Sequence, residues 1–342
     1  MIRDKRINTI DFLRGIAVII MIFANSTPYL FDFKNFFTLR YIYTIAAPVF
    51  IFLAGFTGQM NFERGNSISY YRILQILAMA VSIDVLIWRS VPFYTFDVLY
   101  LIAFSKFLLH LLQKINKTKI LLLFFGLFIF IYIFLTNKLG YRSEISDILL
   151  KDFIINYRIY IDLNPINRLL YDGWFPIFPW SIIMLIGAIS YKFLKIIEAN
   201  YSIYLIAASM VTLFMLYFSL SNIHYPVREK YLELFYPLNN LLLLIPVSIF
   251  LLVIGIIKWK PNIKYGYINL LGKYSLFAYL INAIIDSVLE QYDFQNSTLN
   301  LKLTVIFLSF VILISLLKII DKLRHKPIWE KIPKGLKFIM GL

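Results

Sequence analysis

Four polar side chains lie on one stripe of a mostly apolar segment late in the chain. Ser275, Tyr279, Asn282 and Asp286 recur at spacings of four, three and four residues, which places them on one face of a helix. A carboxylate there can take or give a proton, and amide or hydroxyl groups can orient a reacting carbonyl. The stripe predicts that this helix lines a polar cavity. The alternative is that its polar groups hydrogen-bond to another helix.

A second polar set opens the chain. Asp11 and Arg14 are three residues apart, so they share a helical face and can pair with each other. Asn25 follows near the far end of the same apolar segment. Ionisable groups in apolar segments are costly when they face lipid and usually mark a functional path. We therefore expect this segment to contribute to a site.

Further charged residues flank other apolar segments. Asp84 and Arg89 end the third segment, and Asp97 starts the fourth. These residues could close the polar region that the stripe forms. The alternative for Asp84 and Arg89 is a buried ion pair that fixes helix register. The stretch from Asp172 to Trp180 contains two prolines, which predict an irregular first turn at the start of the sixth segment. Such backbone is tolerated at membrane depth where it lines a cavity.

Few histidine and cysteine side chains are available for catalysis or metal binding. The chain has no cysteine and three histidines, His110, His224 and His325, none of them beside the polar stripes. A zinc site usually takes three or four protein ligands, so we expect no metal. His224, in an outer loop, is the best placed of the three to act as a general base.

The elements that position these groups are predicted to be membrane helices. Of 342 residues, 60% are hydrophobic and 15% charged, against about a quarter charged in an ordinary soluble domain. Repeated apolar runs of about 20 residues predict an all-α, polytopic integral membrane protein with about ten transmembrane helices in one bundle. The predicted spans are 9–27, 39–59, 70–90, 95–113, 119–136, 175–194, 201–219, 236–257, 269–289 and 300–320.

The distribution of basic residues predicts an orientation. The net charge of +15 comes from Lys and Arg in short connectors, which favours topology and anionic headgroups over nucleic acid as the explanation. With the N-terminus inside, inner segments hold nearly twice as many Lys and Arg as outer ones, so we predict N-in and C-in. The long outer loop 137–173 is either a lid over the bundle or a solvated connector.

These segments predict a domain organisation. Residues 1–320 form the bundle, and residues 321–342 form a basic amphipathic cytoplasmic tail that lies on the inner leaflet, with membrane lipids as partners. We expect a multi-pass protein of the cytoplasmic membrane of a prokaryote, without nucleic-acid partners, for which a homodimer is a compatible assembly.

Five ordered motifs carry a family resemblance. The chain resembles the transmembrane acyltransferases related to heparan-alpha-glucosaminide N-acetyltransferase. The matching stretches are Arg6–Ala17 with Met21–Asn25, Ala47–Phe56, Asp97–Ala103, Phe175–Trp180 with Gly187, and Leu271–Leu280.

The resemblance implies a bundle of ten or eleven helices that passes an acyl group, usually acetyl, from cytoplasmic coenzyme A to a sugar hydroxyl or amine on the other side. Asn25 is similar to an active-site asparagine of the heparan branch, whose amide can stabilise the carbonyl oxygen in the transition state. The donor side would include Asp11, Arg14, Arg72, Lys273 and Ser275. The acceptor side would include Asn35, Arg89, Asp97, Asp172, Trp180 and Tyr279.

The chain departs from the family at the histidine positions. Bacterial relatives often carry a histidine where Asn25 stands, the heparan branch has its catalytic histidine in the following loop at the position nearest to Asn35, and the late motif usually continues with a histidine where Asn282 stands. An amide is neither a general base at physiological pH nor able to form an acyl-histidine. Three explanations follow. A buried carboxylate is the base (Asp286, Asp84 or Asp97), His224 enters from its loop, or transfer has been lost and binding retained.

We therefore expect an acyl-CoA-dependent O- or N-acetyltransferase acting on an extracytoplasmic glycan or glycolipid. Asn25, Asp286, Asp84 and Asn282 are the candidate catalytic residues, and acetyl-CoA or another acyl-CoA is the donor. The alternative is a catalytically silent relative that binds or transports a lipid-linked saccharide or small molecule.

Overall fold

The described part of the chain is helical. The computed structural model describes residues 8–31, 43, 45–66, 69–94, 96–115, 118–139, 165–196, 201–221, 240–259, 266–292, 294 and 296–340. No β-strand occurs among these residues, which confirms the all-α prediction. The helices form because long runs of Leu, Ile and Phe are broken by short polar or proline-containing connectors.

Eleven longer helices account for most of the described residues. They are α1 Asn8–Leu30, α2 Ala46–Glu63, α3 Tyr70–Ser82, α4 Val98–Ile115, α5 Thr118–Leu139, α6 Ile177–Ile196, α7 Tyr201–Ser221, α8 Asn240–Trp259, α9 Gly266–Lys273, α10 Ser275–Glu290 and α11 Leu299–Leu323. Helix α3 continues as a π-helix over Ile83–Trp88. Short helical turns lie at Pro165–Asn167, Arg168–Asp172, Ile328–Lys331 and Lys334–Ile339.

Several helices are suited to crossing a membrane. Within the described ranges, three are long and apolar enough, over Thr9–Thr27, Tyr70–Trp88 and Leu299–Leu323. The pair α9 and α10 makes a fourth if its two bent halves form one span. Shorter apolar helices lie at Leu122–Ile131, Ile177–Phe193, Ser202–Leu213 and Ile245–Ile256. The count of ten spans and the N-in, C-in orientation stay predictions.

The chain divides into two compact units. Unit 1 comprises Ala47–Lys260, and unit 2 comprises Ile2–Ala46 and Pro261–Leu342, so the first helix belongs with the last ones. The predicted boundary between a 1–320 bundle and a 321–342 tail stays a prediction.

Unit 1 is built around α6. This helix packs on α4, α5 and α8, while α3 packs on α4 and α7 on α8. A cluster of buried hydrophobic side chains joins α4, α5 and α6, and its members are Leu109, Leu112, Phe128, Ile182, Leu185 and Ala188. Ser248 of α8 donates a hydrogen bond to the Ala208 carbonyl of α7 at 3.1 Å, the kind of interhelical bond that holds apolar helices together.

Two glycines let α2 and α6 of unit 1 touch backbone to backbone. A Cβ on Gly55 would lie 1.9 Å from the Met184 carbonyl oxygen, and one on Gly187 would lie 2.1 Å from the Phe52 carbonyl oxygen. Small residues allow such approach where lipid gives no hydrophobic driving force between helices. Each helix therefore supplies a glycine to the same crossing.

Unit 2 repeats this arrangement between α1 and α9. A Cβ on Gly15 would lie 1.9 Å from the Ile268 carbonyl oxygen, and one on Gly272 would lie 1.6 Å from the Asp11 carbonyl oxygen. Helix α1 also packs on α10 and α11, and α11 packs on both α9 and α10. The crossing therefore fixes α9 against the start of α1.

The predicted span 269–289 is interrupted. Helices α9 and α10 meet at an angle of 85°, with Tyr274 between them in a non-helical conformation (φ −113°, ψ 30°). The whole polar stripe from Ser275 to Asp286 lies after the break, on α10. In a helix that continued straight on from α9, the residues of the stripe would lie along the axis of α9 instead.

We predict that Gly272→Ala destabilises the protein, because its Cβ has no room beside the Asp11 carbonyl. Overpacking usually costs about 1–3 kcal/mol of the free energy of unfolding. The measurement is thermal unfolding of the detergent-purified protein. The matched control is Gly266→Ala on the same helix, where nothing lies within 4 Å of the added Cβ. Equal melting temperatures for the two variants would show that the crossing does not limit stability.

Candidate functional site

A buried carboxylate joins α1 to α10 in unit 2. The Ser26 hydroxyl donates a hydrogen bond to Asp286 Oδ1 at 2.9 Å, and the Asn282 amide donates to Asp286 Oδ2 at 2.6 Å. All three side chains are at most 2% exposed. Two donors hold the carboxylate plane in one orientation, which is the arrangement expected of a positioned acid or base.

The polar stripe supplies part of this cluster. Asn282 and Asp286 are one turn apart on α10 and hydrogen-bond directly, whereas Ser275 and Tyr279 are half-buried nearer its start. The Asn282 Oδ1 atom is buried and has no hydrogen-bond partner among the described residues. Asn25 of α1 is exposed, although its neighbour Ser26 is buried in the cluster. On α1 the residue that contacts the Asp286 carboxylate is therefore Ser26, which the sequence analysis did not single out.

A second polar cluster marks the other part of unit 2. The Lys273 ammonium and the Tyr274 hydroxyl both bind Asp321 Oδ1, the hydroxyl at 2.6 Å. The Lys273 Nζ atom also lies 4.9 Å from the centre of the Tyr274 ring. Asp321 thereby ties the break between α9 and α10 to the end of α11. Lys273, a predicted phosphate ligand, is engaged in this ion pair.

The predicted pairing in α1 is confirmed. Arg14 Nη1 lies 3.9 Å from Asp11 Oδ1, and Asp11 is 4% exposed. The Asp11 backbone is the part of α1 that Gly272 approaches, so this pair and Lys273 both adjoin the crossing of α1 with α9. Arg72, the remaining predicted donor cation, is exposed on α3 in unit 1.

In unit 1, Asp84 accepts a hydrogen bond from Tyr100. The Tyr100 hydroxyl lies 2.6 Å from Asp84 Oδ2, and both side chains are at most 2% exposed. Asp84 sits in the π-helix, and Arg89 ends it as an exposed residue with left-handed backbone (φ 53°). The predicted alternative paired Asp84 with Arg89 in a buried ion pair, whereas the contact seen at the Asp84 carboxylate is with the Tyr100 hydroxyl.

Asp97 begins α4. Its carboxylate accepts a hydrogen bond from the Val98 amide at 2.6 Å, and its own carbonyl accepts from Tyr100 N at 3.0 Å. The Asp97 side chain therefore pairs with one of the first-turn amides, which have no partner within the helix. Asp172 ends the short π-helical turn before Gly173.

The entry to α6 is irregular, as its prolines predict. Phe178 is extended (φ −102°, ψ 120°) within the first turn. The Phe175 amide donates to the Phe96 carbonyl at 2.9 Å, and the Trp180 ring is fully buried with its centre 4.8 Å from that of Phe175. Arg168 Nη1 donates to the Tyr94 carbonyl at 3.0 Å. The segment is therefore tied to the connector between the π-helix and α4.

One polar network was not anticipated from the sequence. Gln113 of α4 donates to Gln59 Oε1 at 3.2 Å, and Gln59 donates to Glu63 Oε1 of the next turn of α2, also at 3.2 Å. Glutamines inside predicted spans were the available signal. Tyr100, Tyr274, Asp321 and Ser26 were missed too, because their partners lie far away along the chain.

Other predicted residues fall outside the description or outside these clusters. Asn35 and His224 lie outside the described residues, as do positions 140–164 of the predicted lid. His110 is buried on α4, with its ring centre 4.7 Å from that of Tyr70. Within the described part of the chain, no three His, Cys, Asp or Glu side chains gather as a metal site.

Comparison with protein families gives a match over much of the chain. The family model described as heparan-alpha-glucosaminide N-acetyltransferase, catalytic, matches residues 6–219. This range holds Ser26 and most of unit 1 but ends before Asn282 and Asp286. The search of curated proteins finds no match.

We predict that Tyr100→Phe lowers stability, because the buried Asp84 carboxylate loses its hydroxyl donor. A hydrogen bond to a charged group contributes about 1.5–3 kcal/mol to the free energy of unfolding. Thermal unfolding measures the loss, and Tyr71→Phe, at a side chain 56% exposed, is the control. An unchanged melting temperature in Tyr100→Phe would remove the structural role that we give to this pair.

Proposed function

Because the match covers more than half of its length, the chain belongs to the family of heparan-alpha-glucosaminide N-acetyltransferase catalytic domains, and we propose that it is a membrane-embedded acyltransferase. It takes an acetyl or other acyl group from cytoplasmic acyl-CoA. The acceptor is a hydroxyl or amine of an extracytoplasmic glycan or glycolipid.

The observation that supports this proposal is the oriented Asp286 carboxylate. In the transfer to the acceptor, its hydroxyl or amine attacks the carbonyl carbon of the acyl group, and Asp286 takes the proton that the acceptor loses. Asn282 and Ser26 hold the two carboxylate oxygens, so the base is positioned before substrate arrives. A carboxylate base would take the role of the histidine that is absent at positions 25, 35 and 282.

The geometry of α1 suits a donor that enters from the cytoplasm. Arg14 and Ser26 lie on the same helix, and at 1.5 Å per residue they are separated by about 18 Å along its axis. Coenzyme A phosphates held near Arg14 would direct the pantetheine arm toward Asp286. Asp11 orients Arg14, and Lys273 and Ser275 of the same unit complete the proposed donor side.

The residues of the acceptor side are proposed from the sequence resemblance. Asn25 would stabilise the carbonyl oxygen, and Tyr279 lies one turn before Asn282 on α10. The other residues that the resemblance assigns to the acceptor are Asn35, Arg89, Asp97, Asp172 and Trp180. The proposed location is the cytoplasmic membrane of a prokaryote.

A second candidate function is binding without transfer. It is favoured by the three asparagines at the histidine positions and by the buried Asn282 Oδ1 atom, which has no hydrogen-bond partner among the described residues. Such a protein would bind or move a lipid-linked saccharide or another small molecule. Turnover of acetyl-CoA separates the two functions.

We predict that Asp286→Asn lowers kcat for consumption of labelled acetyl-CoA by about 10²-fold or more, because the base is lost while shape and hydrogen bonding are nearly kept. The measurement uses purified full-length protein in nanodiscs, with release of free coenzyme A as the readout.

The control for this substitution is Glu290→Gln. Glu290 is an exposed carboxylate one turn after Asp286 on the same helix, so its variant should keep activity within about twofold. Wild-type protein that binds acetyl-CoA without turnover would favour the second function. Full activity in Asp286→Asn would leave the enzyme but remove Asp286 as its base.

The proposed orientation predicts opposite labelling of two single cysteines. Because the chain has no cysteine of its own, Gln291→Cys and Lys334→Cys each introduce one reactive thiol at an exposed position. In intact cells a membrane-impermeant maleimide should label Gln291→Cys but not Lys334→Cys. Lys334→Cys should be labelled only after lysis. The reverse pattern would contradict N-in and C-in.

A further inference from the structure

The geometry points to Ser26 as a nucleophile that carries the acyl group. This inference rests on the proposed acyltransferase function and adds a covalent step to it. Ser26 and Asp286 are 260 positions apart in the chain, yet the Ser26 hydroxyl donates directly to the carboxylate at 2.9 Å. A nucleophile bonded to a base, with the base oriented by a third group, is the general arrangement for covalent catalysis.

Each member of that arrangement is present. Ser26 Oγ is the nucleophile, Asp286 Oδ1 is the base, and Asn282 fixes the other carboxylate oxygen from one turn earlier on α10. The side chains are buried, so bulk water is kept from competing for an acyl-enzyme. Asn25, the preceding residue, is exposed and marks where α1 borders the surface of unit 2.

The first half-reaction forms an ester. Ser26 Oγ attacks the thioester carbonyl carbon while Asp286 takes the hydroxyl proton. The C–O bond forms, the C–S bond breaks, and the proton passes from Asp286 to the departing coenzyme A thiolate. The products are an acyl ester on Ser26 and free coenzyme A.

The second half-reaction restores the enzyme. The acceptor hydroxyl or amine attacks the ester carbonyl carbon and gives its proton to Asp286. The bond from the carbonyl carbon to Ser26 Oγ breaks, and the proton returns to that oxygen. Serine thus serves as the acyl carrier in a chain with asparagine at the histidine positions.

A neighbouring hydroxyl provides a matched control. Thr27 is also buried on α1, but its hydroxyl donates to the Phe23 carbonyl of the same helix and lies 3.3 Å from the Tyr43 hydroxyl. It is bonded to no carboxylate in the described part of the chain. Thr27→Ala therefore removes a buried hydroxyl from the same helix end without touching Asp286.

The experiment incubates the full-length protein with radiolabelled acetyl-CoA in the absence of acceptor, followed by denaturation and peptide mapping. We expect label on the peptide that contains Ser26, released by alkaline hydroxylamine as an ester is. Thr27→Ala should keep the label, Ser26→Ala should lose it, and Asp286→Asn should slow its formation by about 10²-fold or more. Ser26→Cys should carry a thioester that neutral hydroxylamine releases, which guards against misfolding of Ser26→Ala.

The outcomes separate this inference from the function on which it rests. Wild-type turnover with no label on Ser26, or turnover in Ser26→Ala within about threefold of wild type, overturns the nucleophile and leaves the acyltransferase. Absence of both label and turnover in the wild-type protein overturns the acyltransferase and the nucleophile together. Label on Thr27 or another residue also overturns the assignment of Ser26.

Discussion

The close crossing of α1 with α9 is the constraint on which unit 2 depends. Gly15 and Gly272 have no side chains, so the two backbones meet at a distance that any Cβ would prevent. The crossing fixes where α9 ends, and the 85° bend at Tyr274 then sends α10 in a new direction. Along α10, Asn282 and Asp286 meet the far part of α1 at Ser26. The polar cluster therefore depends on a packing contact that involves none of its members.

Unit 1 uses the same physical solution between α2 and α6. Gly55 and Gly187 each face a carbonyl of the other helix, and aromatic side chains fill the space around them, including Phe52, Phe56 and Phe250. All four glycines fall within the motifs that carry the family resemblance. Those motifs thus encode helix approach as well as chemistry, since apolar helices in lipid associate through close van der Waals contact.

Three buried carboxylates illustrate how charge is managed in a chain of this composition. Asp84 accepts a tyrosine hydroxyl, Asp286 accepts a serine hydroxyl and an amide, and Asp11 lies beside Arg14. A buried charged or polar group without partners costs several kcal/mol, so each is given donors or a counter-charge. Asp286 differs because one of its donors, the Ser26 hydroxyl, is the proposed nucleophile. The same hydrogen bonds that stabilise the carboxylate also prepare it for proton transfer.

The sequence alone determined the helical class, the membrane character, the pairing of Asp11 with Arg14, the stripe on α10 and the family, because hydropathy, helical periodicity and motif order are local properties of the chain. It did not reveal that Ser26 faces Asp286, that Asp321 holds Lys273 and Tyr274, or that the predicted span 269–289 bends at Tyr274. The two contacts join residues tens to hundreds of positions apart, and which side chain meets which depends on how closely the backbones approach. Tertiary packing decided that, since a glycine in the sequence does not state which carbonyl it will touch.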